Sequence, residues 1–88
     1  MEAIVKNKYN IQIIVPVLYK KYDLFIPTNK TVGEIIILLE KGLKELTKES
    51  FVLDKNLKLY DTLDGTEYEL GEFIYKTSIK NGSILMLC

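Results

Sequence analysis

The hydrophobic pattern changes period along the chain, and each change marks an element. In "NIQIIVPV" (10–17), Ile11, Ile13 and Val15 alternate with Asn10, Gln12, Ile14 and Pro16. Period two is the signature of a strand with one buried face. Pro16 cannot donate to a hydrogen-bond ladder, so the strand is expected to end there. "YDLFIP" (22–27) alternates again, with Tyr22, Leu24 and Ile26 on one side. The short polar link "LYKK" makes the two strands a hairpin.

The next stretch, "PTNKTVGEIIILLEKGLKEL", repeats at 3.6 residues. Val32, Ile35, Ile36, Leu39, Leu43 and Leu46 form one stripe along a helix. Thr31 with Glu34 reads as a capping box that satisfies two orphan amides at its start. Ile37 lies off the stripe and should face water, and Lys41, Lys44 and Lys48 suit the negative end of the helix dipole. Gly42 weakens such a helix by about 1 kcal/mol relative to alanine, and a close approach to the sheet would explain it.

Beyond the helix, "FVL" (51–53) fits a strand or a loop. "LKLY" reads as a strand, "DTLDG" as a turn with Gly65 at positive φ, and "TEY" as a short return strand. Leu70, Phe73, Ile74 and Ile79 suit a packed loop or a short helical turn, and "KNG" leads into the closing strand "SILML". There are no repeats or linkers. The expected organisation is a leader of undefined structure, Met1–Asn10, followed by one domain over 11–88. A one-sided helix must be wrapped by a sheet. A last strand lying parallel between the first and third brings Leu85 and Leu87 to that helix. The expected fold is α+β of β-grasp type, with strand order 2-1-5-3 and a short fourth strand.

Composition narrows the chemistry. The 88 residues are 48% hydrophobic and 27% charged with zero net charge, a balance that folds. Every basic residue is lysine and histidine is absent. A neutral chain without arginine forks is a poor nucleic-acid binder. With no histidine to serve as base and Cys88 as its one cysteine, it offers neither a catalytic pair nor a multi-cysteine metal site. Asp61, Asp64, Glu67 and Glu69 cluster at the "DTLDG" turn, but Tyr60, Thr62 and Asp64 supply one carboxylate where a calcium loop wants several, so the turn reads as a solvated acidic hairpin. No cofactor, no metal and no enzymatic activity are expected. The start, "MEAIVKNKYN", lacks a signal-peptide core, and no apolar run approaches the ~18 residues of a membrane span. A cytoplasmic location is expected.

Taken together, "IQIIV", "TVGEII" and "IKNGSILML" resemble ubiquitin-like folds. The block Tyr22–Pro27 with Val32–Glu34, followed by Leu59–Tyr60, Gly65, Tyr68 and Ile74–Leu85, is similar in order and spacing to the YukD/EsaB-type ubiquitin-like proteins of Gram-positive bacteria. The resemblance spans 11–88. It implies a non-catalytic accessory or regulatory component of a type VII (WXG100) secretion system, working by protein–protein contact. Ubiquitin-like carriers act through a flexible Gly-Gly tail, whereas this sequence ends in Leu87 and Cys88. A carrier modified at that end is the alternative reading, and a self-assembling structural subunit is a third.

The outward-facing positions carry the binding expectation. If Ile11, Ile13, Val15, Leu24, Ile26, Leu59, Leu85 and Leu87 face the helix, their alternates Ile14, Pro16, Phe25, Tyr60, Ile84, Met86 and Cys88 face away. A half-buried sheet normally shows polar residues there. An apolar patch of that extent marks an interaction site, with Phe25, Tyr60 and Met86 as anchors. A partner protein, a second copy, or the chain's own "LGEFIYKTS" segment or leader could cover it.

Overall fold

The computed structural model describes residues 7–47 and 56–88, and Met1–Lys6, Lys48 and the Phe51–Leu53 stretch lie outside them. Five elements follow in order: β1 (Lys8–Val15), β2 (Lys20–Pro27), α1 (Val32–Thr47), β3 (Leu59–Asp61) and β4 (Ile84–Leu87). They form a four-stranded sheet in the order β2-β1-β4-β3. The closing strand is inserted parallel to β1, and β1–β2 and β3–β4 are antiparallel. This is the ubiquitin-like β-grasp arrangement.

Two boundaries differ from the pattern reading. β1 begins three residues before Ile11, because Lys8, Tyr9 and Asn10 pair with Pro27, Ile26 and Phe25. Tyr9 also packs on the core, so 8–10 belong to the domain and not to a leader. The short return strand shrinks to one bridge, Tyr60 with Glu67. Backbone bonds flank that bridge, from the Asp61 amide to Thr66 O (2.8 Å) and from the Tyr68 amide to Leu59 O (2.9 Å), and side chains brace the turn: Asp61 accepts from the Leu63 amide (2.8 Å) and Asp64 from the Thr66 amide (3.0 Å). Carboxylates that satisfy a turn's amides compete with ladder pairing.

Pro16 ends β1 as expected and opens a 3-10 turn, Pro16–Leu18, closed by Tyr19 at φ 53°. Downstream, Thr31 and Glu34 form the capping box. The Thr31 amide donates to Glu34 Oε1 (2.9 Å) and the Glu34 amide to Thr31 Oγ1 (3.2 Å). From that start α1 buries Val32, Ile35, Ile36, Leu39 and Leu43 against Ile11, Ile13 and Val15 of β1, Leu59 of β3, and Leu85 and Leu87 of β4. Each such side chain taken from water stabilises by roughly 1.5–3 kcal/mol. Leu46, expected on the same stripe, is 68% exposed, and Leu24, expected to be fully inward, is half-buried. Both border one groove at the sheet's β2 margin, where no further strand covers them among the described residues.

Expected freedom at Gly65 is realised at φ 75°, and the "KNG" turn places Gly82 at φ 90°. The close approach expected at Gly42 falls elsewhere. Among the described residues, a Cβ on Gly42 would meet nothing within 4 Å, whereas one on Gly33 would lie 3.3 Å from the Leu70 carbonyl oxygen. There the first-turn amides of α1 are satisfied by a loop: Val32 donates to Glu72 O (2.8 Å) and Gly33 to Leu70 O (2.9 Å). The same segment continues into a 3-10 turn, Ile74–Lys76, with Ile74 and Ile79 buried. The amides of Ile74 and Tyr75 donate to Lys30 and Thr28 in the β2–α1 connection.

Candidate functional site

The registers lay out the sheet's outer face row by row. One row runs Lys21, Ile14, Met86, Tyr60 across all four strands. The next runs Asp23, Gln12, Ile84, and is extended by Thr62, whose amide and hydroxyl both donate to Ile84 O (3.1 and 2.7 Å). A third pairs Phe25 with Asn10. Directly opposite side chains lie about 5 Å apart, close enough for apolar contact. Ile14, Met86 and Tyr60 therefore form a contiguous apolar strip, each half-buried, with the more exposed Ile84 beside it.

Cys88 joins this group. Its backbone exchanges two hydrogen bonds with Lys58 (3.1 and 3.2 Å), which carries the β3–β4 pairing one residue beyond Leu87. With Tyr60 and Met86 it rims a shallow apolar depression that also touches Asp61, Thr62 and Gly65.

The other two expected site residues are not brought together with these. Phe25 is 65% exposed, but the polar pair Gln12–Asp23 stands between it and Ile14. Pro16 lies past the last pair, Val15 with Lys20, in the turn. Period alone placed all seven on one face. The outward parity of β1 and β2 also carries Asn10, Gln12, Lys21 and Asp23, and the register sets them among the apolar positions, which breaks the patch up. Their even or odd numbering was the available signal.

The acidic hairpin at the margin is engaged in local bonds. Tyr68, buried beneath it, shares its hydroxyl with Asp61 Oδ2 (3.1 Å) and Ser78 Oγ (2.8 Å), and burial pushes its phenol up from its ordinary value. The Thr66 amide holds the Asp64 carboxyl below its usual range. Glu67 pairs with Lys58 at 3.0 Å, and that bond raises the lysine. Among the described residues no three His, Cys, Asp or Glu side chains are placed to hold a metal, and no described helix is long and apolar enough to cross a membrane.

No protein-family model and no curated protein matches the sequence. Solved structures do match in fold. The chain is similar to a ubiquitin-like domain of an Arabidopsis thaliana protein at 16% identity and a TM-score of 0.66, over 93% of this chain and 77% of that one. It is similar to the ubiquitin-like domain of the Mycobacterium tuberculosis type VII secretion system protein EccD1 at 15% identity and 0.67, over 91% and 96%. A chain of a toluene 4-monooxygenase complex matches at 5% identity and 0.70, over 91% and 95%. The fold is ubiquitin-like, and it is one that also occurs inside enzyme assemblies, so the function must be argued from the surface.

Proposed function

We propose that this protein is a non-catalytic, cytoplasmic ubiquitin-like interaction module, an accessory or regulator of a bacterial type VII secretion system of the YukD/EsaB kind. It docks a partner protein on the outer face of its sheet. The observation that carries this reading is the strip Ile14–Met86–Tyr60, apolar across three strands where the face should meet water. Tyr60 and Met86 supply the large, adaptable contacts favoured in interface cores, and Gln12, Lys21 and Thr62 supply a polar rim. The secretion assignment is supported by the order and spacing of the "YDLFIP", "VGE" and "IKNG" blocks, and by the shared fold of the EccD1 domain.

A photo-crosslinking residue placed at Met86 in the native host tests the docking face, with one at the exposed Ile37 on the helix as control. Crosslinks from position 86 to a component of the secretion machinery, lost when Ile14→Ser and Tyr60→Ser are added, are the expected result. Equal crosslinking from position 37, or none from position 86 in a folded protein, would overturn the proposal.

A further inference from the structure

β2 is an edge strand among the described residues, and its backbone polarity can be read from its neighbours. The Gln12 amide donates to Ser83 O (3.0 Å) and Asn10 O accepts from the Gly82 amide (2.8 Å). Even-numbered residues of β1 thus turn their backbone groups toward β4, and odd-numbered ones toward β2. Through the register, Tyr22 and Leu24 are the β2 residues bonded to β1, and Lys21, Asp23 and Phe25 aim their amides and carbonyls at the open edge. An unpaired row of this kind is a template for another strand.

Beneath that edge runs an apolar groove of about 210 Å³ between β2 and α1, bordered by Tyr22, Leu24, Leu38, Gly42 and Leu46. Leu38 and Leu46 are half or more exposed, and Gly42 leaves its floor open. A strand added to β2 would place every second side chain in this groove and the alternate ones on the outer face.

The charges on β2 select the occupant. Neither Lys21 nor Asp23 makes an ion pair among the described residues. In an antiparallel pair, edge-facing residues must meet edge-facing residues. If a second β2 pairs about a two-fold axis at Tyr22, Lys21 of each copy lies opposite Asp23 of the other, giving two ion pairs on the outer face. Shifting the axis to Asp23 sets the two carboxylates against each other, which is destabilising. The strand is self-complementary in the first register. We infer that the β2 edge is the contact between two copies of this chain, joined antiparallel about Tyr22. The sheet then runs through eight strands, with both helices on one side and both Ile14–Met86–Tyr60 strips on the other. Such a dimer presents the strip twice on one face, and a partner carrying two sites gains avidity with no new contact.

Sedimentation equilibrium of the full chain over a concentration series tests this, with amide hydrogen exchange as the second measurement. The expected result is a monomer–dimer equilibrium in which the amides of Lys21, Asp23 and Phe25 gain protection as the dimer forms. Lys21→Asp or Asp23→Lys alone weakens dimerisation by roughly tenfold, because each places like charges opposite one another twice. The double exchange K21D/D23K restores it, while circular dichroism stays unchanged. A monomer at every concentration, a dimer that ignores these charges or is not rescued by the exchange, or edge amides protected only by a different protein would each overturn the inference. The docking proposal is tested by Ile14 and Tyr60, so the two can fail separately.

Discussion

At the scale of single residues, the two helical glycines make opposite predictions. Gly42 has open space where a Cβ would stand, so Gly42→Ala removes a helix-weakening residue without a clash. It should raise unfolding free energy by about 1 kcal/mol in urea titration. Gly33→Ala gains the same propensity but presses a methyl to 3.3 Å from a backbone oxygen that its own amide also bonds. It should lower stability, and by the same titration a gain would show that the loop at Leu70 yields freely. The helix pattern singles out Gly42 and predicts there the close approach that falls at Gly33. That difference is set by Leu70, a residue thirty-seven positions away whose approach no local pattern encodes.

At the scale of elements, the helix start and the β3 turn share the acid sensitivity that the structure explains, through Glu34 and Asp64. The Thr31 amide, aided by its hydroxyl and by Lys30, keeps the Glu34 carboxyl below its ordinary range. A carboxyl whose folded value is depressed contributes stability that is fully present above its unfolded value and is lost as pH falls through the folded one. Stability should therefore decline below about pH 4.5, and Glu34→Gln should flatten that acid limb in denaturation curves. Tyr68 and Lys58, both raised, act in the opposite sense: their contributions hold below about pH 10 and fade as pH rises through the folded values. Thr31→Ala should cost about 1 kcal/mol at neutral pH in the same assay, the usual worth of an N-cap. The cap was legible because Thr31 and Glu34 are neighbours in sequence. The shortness of the return strand was not, because "TEY" has strand-like residues but sits after Asp61 and Asp64, whose carboxylates take the Leu63 and Thr66 amides and leave one bridge, Tyr60 with Glu67.

At the scale of the whole molecule, alternation in "NIQIIV" and "SILML" was enough to put Ile11, Ile13, Leu85 and Leu87 in one core, and the helix stripe told which face of the sheet to cover. The surface was less legible. Parity assigns a side chain to a face but says nothing of its neighbours across the sheet, which depend on a parallel register joining Gln12 to Ile84 over most of the chain length. That register brings Ile14, Met86 and Tyr60 together and leaves Phe25 behind a polar pair. Replacing all three strip residues by serine should therefore change partner capture far more than Phe25→Ser does, at similar melting temperatures. Equal losses from both would mean that the docking face extends to the β2 margin.

The parallel alignment of β1 with β4 has a mechanical consequence. A load pulling outward at Lys8 and at Leu87 grips these adjacent strands at opposite tips, so the bonds between them must slide and rupture together instead of peeling one by one. How long a domain withstands traction is set by its unfolding rate. A translocating motor tugging on both tips would meet its greatest resistance in the middle of this sheet.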